Sequence, residues 1–329
     1  MADDGRASTG SGGGAQTQLV FSTGGRKTAE GYIGWAVKQV ARDVGIDIRI
    51  RRFPTEPRQV AAVHEGMADL SVSVSEAAGW AYRAEAAYEG WRHTSLRAIA
   101  SFFQPQWLLW AVRWEAGLIS LDQLAERKAP LRVVTFAPSG MSATWAFVTS
   151  QVLDKYEIAW KNVPGWGGRL WNPFDDERVV REGHFDMIVL PAGPPFGRLA
   201  RLWQQASALH NLRYLQVRTD YLDALTRDHG LEASNLPLDL FPGVELGVPS
   251  LYFPNFVLYA SERLEDEQAY ELARLLNENI ATLRRYNVAF DAALALERTG
   301  CPPHPGALAY YREHVGSDVE ADASLTNAQ

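Results

Sequence analysis

Residues 19–25 read LVFSTGG, and together with the helical pattern directly after them they decide the fold. Leu19-Val20-Phe21 is a short apolar strand and Ser22-Thr23-Gly24-Gly25 a turn. Ile33, Ala36, Val37, Val40, Ala41 and Val44 then recur at helical spacing on one face. Ile46, Ile48 and Ile50 alternate with Asp47 and Arg49 as a second strand, Val60 and Val63 mark a short helix closed by Gly66, and Leu70 to Val74 form a third strand. Such a βαβαβ series predicts parallel strands joined by right-handed crossovers.

The pattern restarts further along. Leu131 to Thr135 is a strand, a Ser-Gly turn comes next, and Trp145, Val148 and Val152 mark a helix. A helix ending at Gly183, a strand from Asp186 to Leu190, a helix around Leu199 to Ala206 and a strand from Leu212 to Val217 complete a second α/β unit. Leu236 to Pro254 is punctuated by proline and glycine and has no helical period, and a long helix carries Ala269, Leu272, Ala273, Leu276, Ile280 and Leu283. Two apolar runs, Trp107 to Val112 and Phe256 to Ala260, fall where one series stops and the other starts, and are read as crossings between lobes. The expected fold is α/β, with two lobes, a two-crossing hinge and a central cleft. The expected division places residues 17–110 and 258–320 in lobe 1 and 111–257 in lobe 2, with tails at 1–16 and 321–329.

Composition narrows the function. Hydrophobic residues make up 47% and charged residues 22%, enough for a sizeable core. The 32 basic and 39 acidic residues give a net charge of −7, and no basic block is long enough to track a phosphate backbone, so nucleic acid is not expected as a partner. Cys301 is the single cysteine and has no partner for an internal disulfide. The seven histidines lack zinc-ligand spacing and no dinucleotide or triphosphate loop is present, so neither metal nor cofactor is expected. Met1 to Gln16, MADDGRASTGSGGGAQ, lacks the basic and then apolar pattern of a secretory signal. The chain as written is expected in the cytoplasm, or in the periplasm if a leader has been removed.

Two strand-to-helix turns carry the expected chemistry, Thr23-Gly24-Gly25 and Ser139-Gly140-Met141-Ser142. Free backbone N–H groups and the positive end of a helix favour an anion at such places, so a carboxylate between the lobes is held from both sides. Arg26 and Lys27 add charge to the first turn, and the Ser139 and Ser142 hydroxyls donate at the second. Trp80 and Trp166, with several other tryptophans, are expected to wall the cleft, which suggests an aromatic carboxylate.

Near the C-terminus, Pro303-His304-Pro305-Gly306-Ala307 and then Tyr310-Tyr311-Arg312-Glu313 are similar to the L-H-P-G-A-x-x-Y-Y-R-E signature of the TAXI family of TRAP-transporter solute-binding proteins. Gly66-Met67-Ala68-Asp69 resembles that family's G-e-A-D, Ser139 to Ser142 stands where it has G-S-G-T, and Asp186 to Pro194, with Gly193, resembles D-A-x-x-x-x-x-G-x-P. The resemblance spans about residues 18 to 315. It implies a type II periplasmic-binding-protein fold closing on a small, usually carboxylate-bearing solute that is handed to a membrane permease. It also implies binding residues at Thr23 to Gly25, Tyr32 and Ser139 to Ser142. The family's G-S-v-x-N stretch is replaced here by Thr55-Glu56-Pro57-Arg58-Gln59, a bulkier, charged loop expected near the cleft.

Two functions are open at this point. One is a binding protein that closes on an organic acid without chemistry. The other is a cytoplasmic, cofactor-independent lyase, decarboxylase or isomerase on the same fold, with Arg26 or Arg58 gripping a carboxylate and Glu76 or His64 carrying the proton. The first is preferred on the motif set, the enzyme ranks second, and a ligand-responsive regulatory subunit without transport or catalysis ranks third.

Overall fold

The apolar stripe at helical spacing after the LVFSTGG turn is buried as its period requires: Ile33, Ala36, Val37, Val40 and Ala41 all face the core. The molecule is described here by a computed structural model covering residues 18–25, 28–42, 45–136, 142–194, 197–238, 240–244 and 246–316. The expected tails, together with Arg26, Lys27, Val44, Ser139, Gly140 and Met141, lie outside the described residues.

The first unit alternates β1 (Gln18–Thr23), α1 (Ala29–Arg42), β2 (Asp47–Arg52), α2 (Glu56–His64), β3 (Leu70–Val74) and α3 (Ser75–Arg83). The long β4 (Leu96–Arg113) leads into the second unit, made of α4 (Asp122–Arg127), β5 (Arg132–Thr135), α5 (Ala143–Lys155), α6 (Asn162–Gly165), β6 (Arg169–Trp171), α7 (Arg178–Arg181) and β7 (Met187–Ala192). Next come α8 (Gly197–Leu209), β8 (Leu212–Leu215), α9 (Thr219–His229) and β9 (Glu232–Asn235). The chain returns through β10 (Pro249–Ser261) to α10 (Asp266–Glu278), α11 (Ile280–Arg285) and α12 (Pro305–His314).

The strands form one curled sheet in the order β2-β1-β3-β10-β4-β7-β5-β6. β1 pairs in parallel with β2 and β3, and β5 in parallel with β6 and β7, so each unit has the parallel pairing that its sequence predicts. The units also share an anchoring device. Asp69, just before β3, accepts a hydrogen bond from the backbone N–H of Val20 in β1 at 2.6 Å, and Asp186, just before β7, accepts one from the N–H of Arg132 in β5 at 2.8 Å. The Arg132 guanidinium adds two contacts to Asp186, at 2.8 and 3.0 Å. Both aspartates of the sequence motifs therefore fix strand register.

β4 and β10 run antiparallel to each other and pass through both lobes. The leading part of β4 pairs with β10, and its end, Trp107 to Val112, pairs with β7. The apolar run read as a crossing is thus the last third of a longer strand, and Pro249 to Pro254, expected to be irregular, opens β10. The ladder between them slips at Phe253/Asn255, where Pro254 of β10 stands against Gln104 and Pro105 of β4. Proline has no N–H to give the ladder, so pairing is weakest where the lobes meet. The long C-terminal helix is broken at Asn279 into α10 and α11.

The signature near the C-terminus serves the frame. His304, 1% exposed, caps α12 by accepting from the Gly306 N–H at 3.4 Å, and its other ring nitrogen lies 3.0 Å from the Leu264 carbonyl oxygen. A Cβ at Gly306 would come within 1.9 Å of the Asp266 carbonyl oxygen, so only glycine lets α12 meet α10 this closely.

Candidate ligand-binding cleft

The first turn is set by Thr28. Its hydroxyl donates to the Gly25 carbonyl at 3.0 Å and accepts from the Gly31 N–H at 3.1 Å, so it holds the loop and caps α1 together. Thr23 is buried at the end of β1, where its hydroxyl accepts from the Gly25 N–H at 3.4 Å. Gly24 and Gly25 then face a cavity of about 280 Å³.

Helix α2 contributes the next wall. Glu56, Gln59 and Val60, at positions i, i+3 and i+4, point into the cavity, and Arg58 falls on the opposite, exposed face. The second lobe supplies Phe136 after β5, Ser142 and Trp145 at the start of α5, and Phe174. Gly193 and Pro194 close the side beyond β7. A Cβ on Gly193 would lie 2.3 Å from the Pro105 carbonyl oxygen, so this wall sits directly on the crossing strand. Phe256 and Tyr259 of β10 form the floor.

Both helix starts named from the sequence therefore open on one cavity, through Gly24, Gly25, Thr28 and Ala29 on one side and Ser142 on the other. What occupies the second start was not foreseen. The Glu56 carboxylate reaches across from α2 and accepts from the Ser142 hydroxyl at 2.8 Å, the Thr144 N–H at 3.1 Å, the Thr144 hydroxyl, and the Tyr88 hydroxyl at 3.1 Å. An anion does sit at the N-terminus of α5, as the physics of helix ends favours, but the protein supplies it. The stretch expected as a charged loop, Thr55 to Gln59, is the first turn of α2, with Thr55 just outside it and Pro57 in the first turn where proline is tolerated.

Glu30, in the first turn of α1, is the second carboxylate in the cavity wall. Its side chain meets solvent only partly, and burial pushes its carboxyl above the ordinary range, against the weaker pull of its own backbone N–H and the Thr28 hydroxyl; Glu56 pushes it further in the same direction. Two arginines also reach the wall. Arg52 donates to the Gly24 carbonyl at 2.9 Å, and Arg198 pairs with Glu177 and lies 4.7 Å over the Phe174 ring. Burial likewise lifts the Tyr259 hydroxyl above its ordinary range.

Other expected site residues stand outside this cavity. Tyr32 lies on the outer part of α1, 38% exposed. Trp80, 2% exposed, is core, its ring edge-on to Phe147 of α5 with centroids 5.5 Å apart. Trp166 closes α6, partly exposed. His64 ends α2 with Nδ1 at 2.7 Å from the Ser95 hydroxyl and its ring against His93. Glu76 accepts from Ser75 at 3.1 Å; burial lifts its carboxyl to about 7, with Glu232 adding to the rise and Arg298 opposing it. A proton carrier at Glu76 or His64 would thus act away from the cleft, because both side chains leave their helices on faces turned from it.

The sequence reading missed Glu30, Trp145, Phe174 and Tyr259, all of which line the cavity, and it placed Glu56 and Gln59 only in a nearby loop. A signal for α2 was present: Glu56 and Gln59 continue the helical face on which Val60 and Val63 were already placed.

A curled sheet crossed twice between two α/β lobes, with a cleft where helix starts converge, defines the two-lobed periplasmic-binding-protein architecture. The chain belongs to the NMT1-like family, which it matches over residues 34–314. No curated protein matches it. Among solved structures it is similar to PhnD1 from Prochlorococcus marinus in complex with methylphosphonate, at 10% identity, covering 84% of this chain and 92% of that one, with a TM-score of 0.50. It is also similar to XAC2383 from Xanthomonas citri bound to ATP, at 13% identity, 90% and 95% coverage and a TM-score of 0.49. A further likeness is to the periplasmic aliphatic sulphonate binding protein SsuA from Escherichia coli, at 13% identity, 91% and 82% coverage and a TM-score of 0.42. Identities this low speak to fold alone.

Proposed function

We propose that this protein is a receptor that closes its lobes on a small organic acid, a carboxylate in the first instance, and hands it unchanged to a membrane permease. The observation that carries the reading is the cavity walled by both lobes, with the α1 start on one side and the α5 start on the other. Because Glu56 fills the α5 seat, the acid group is assigned to the first turn, where Gly24, Gly25 and Thr28 meet the arginine-bearing rim at Arg52. Phe136, Trp145, Phe174 and Phe256 suit a flat or apolar body. A permease of the TRAP type is proposed from the TAXI resemblance of the C-terminal signature.

The test is a thermal-unfolding panel of carboxylic, sulfonic and phosphonic acids, with mass analysis of each hit after incubation. A binder raises the unfolding midpoint in a concentration-dependent way. Ala200, 5% exposed and in the cavity wall, gives the control: Ala200→Trp fills the cleft and should abolish the effect. Conversion of the ligand, or stabilisation that survives Ala200→Trp, would overturn the proposal.

A further inference from the structure

Most polar side chains of the cavity wall are already engaged. Glu56 accepts from Tyr88, Ser142 and Thr144, Thr28 bridges Gly25 and Gly31, Arg52 donates to the Gly24 carbonyl, and Arg198 pairs with Glu177. Two glutamines of the wall are not so engaged. Gln106, on the crossing strand β4, gives its Nε2 to the carbonyl of its own neighbour Pro105 at 3.0 Å, which orients the amide and leaves Oε1 without a partner among the described residues. Gln59, in α2, spends its backbone N–H on the Thr55 carbonyl, at 3.1 Å, and its backbone carbonyl on the Ser22 hydroxyl, at 3.2 Å; no described residue bonds its side-chain amide.

Each amide lies against a glycine of the cleft. A Cβ on Gly24 would stand 3.1 Å from Gln59 Nε2, and one on Gly193 only 2.4 Å from Gln106 Nε2. Both glutamines are 7% exposed. Unlike the Trp107 and Trp110 indole nitrogens, which are sealed in the core without a partner, their amide ends open on the cavity. A nearly buried amide that faces space in this way is a place for a complementary polar group. Oε1 of Gln106 asks for a donor, and Gln59 presents a donor and an acceptor side by side and asks for the reverse pair. A carboxamide supplies that pair without taking a charge out of water, whereas a second carboxylate would set oxygen against the Gln106 oxygen.

We infer that the solute carries a neutral carboxamide as well as its acid group, with Gln106 and Gln59 as the specificity-determining residues that read it. This rests on the receptor reading above and narrows its ligand class to acids that bear an amide. The planar amide also suits the ring faces of Phe136, Trp145, Phe174 and Phe256.

The experiment uses matched acids on the full chain, each pair sharing its carbonyl and differing only in an amide nitrogen exchanged for a methyl group: succinamate and 4-oxopentanoate, 3-carbamoylbenzoate and 3-acetylbenzoate, 4-carbamoylbenzoate and 4-acetylbenzoate. Unfolding midpoints are measured as a function of probe concentration for the native protein, Gln106→Met, Gln59→Met and Ala200→Trp. At least one amide should bind about tenfold more tightly than its methyl twin, the effect of one or two neutral hydrogen bonds. Gln106→Met and Gln59→Met, which keep the length of the side chain and remove its amide, should each lower that ratio by about threefold or more. General damage to the cleft weakens both twins alike and leaves the ratio where it was, so the ratio separates recognition from structure. Equal or tighter binding of every methyl twin, or a preference that survives in both methionine variants, overturns the inference. If the methyl twins bind as well as the amides, and Ala200→Trp abolishes both, the receptor reading stands while the carboxamide is refuted. Silence from all six probes refutes both.

Discussion

Removing the Glu56 carboxylate should unlatch the lobes. In the native protein this one side chain joins α2 of the first lobe to the start of α5 in the second through four hydrogen bonds, three of them to Ser142 and Thr144. Hydrogen bonds to a charged acceptor contribute about 1.5–3 kcal/mol each, but the full sum does not apply here. Glu56 is only partly buried, and once the cleft opens water can reach the Ser142 hydroxyl and the Thr144 N–H. The Tyr88 hydroxyl has no such recourse, since Tyr88 is 0% exposed. That orphaned hydroxyl lies in the same lobe as Glu56 and so lowers stability to unfolding without biasing closure; counting roughly one charge-assisted bond at the helix start, Glu56→Ala should shift the closed-to-open balance by about 1.5–3 kcal/mol, or roughly 10- to 150-fold. Small-angle scattering of the ligand-free protein reads this directly. The native chain should be compact and the variant should show a larger radius of gyration, with Glu56→Gln in between because it keeps one acceptor oxygen. Tryptophan emission should move to the red as Trp80 and Trp145, both nearly buried, gain water. Superimposable scattering curves for the native protein and Glu56→Ala, with unfolding free energies within about 0.5 kcal/mol, would refute the latch.

Local chemistry sets three further outcomes. Gly193→Ala places a Cβ 2.3 Å from the Pro105 carbonyl, so the variant should lose about 1–3 kcal/mol, read as a lower urea midpoint; unchanged stability would mean that β7 and the crossing are not packed this closely. Burial lifts the Glu76 carboxyl from 4.5 to about 7, so between those values the folded protein holds a proton that the unfolded chain has released, and stability falls as pH rises through that window and levels off above it. Glu76→Gln should therefore match the native protein near the low end and exceed it at pH 8 by an amount on the order of 3 kcal/mol, and a parallel pH profile for the two would exclude the effect. The Cys301 thiol is buried and pushed up to about 12, so a thiol reagent should label it slowly in buffer and quickly in denaturant; fast labelling of the folded chain would contradict its burial.

Much of the frame was readable because the two signals that carry it are strong in this chain. Val20, Phe21, Ile48 and Leu70 lie on short strands with turns at their ends, and the α1 stripe has a clean helical period, so the first βαβαβ unit could be drawn from spacing alone. Elements without those signals were missed. Helix α3 comes straight after β3 with no turn residue between them and is rich in alanine, and α9 buries only Leu222 and Leu225, too few to show a period. β4 was cut short because the part before Trp107 carries polar positions such as Ser101, Gln104 and Gln106, which read as loop until their partners on β10 and the core are known. Of the cleft, Gly24, Gly25, Ser142 and Gly193 were placed by turn chemistry and motif. Arg58 was named beside the residue that does reach the cavity, because only the helical phase of α2 separates Glu56 from it.

The most recognisable string in the sequence has no part in the cavity wall. His304 and Gly306 bind α12 to the turn after β10 and to α10, and Asp69 and Asp186 pin strand starts, so these motif positions maintain the frame on which two lobes can close. The cavity is instead made by residues at the ends of those framed elements and on the strand between them: Glu30 in the first turn of α1, Glu56 and Gln59 opening α2, Trp145 opening α5 and Tyr259 within the crossing strand. Packing constrains the first group through backbone contacts that admit little change, as the 1.9 Å approach at Gly306 shows. The second group faces space, where a change of side chain alters what is bound without disturbing the sheet. A chain can therefore keep a family's frame and change its ligand by substituting at the first turns of α1, α2 and α5. The carboxylate that Glu56 carries to the α5 start belongs to this second group, and it places the protein's own charge where a helix start favours an anion.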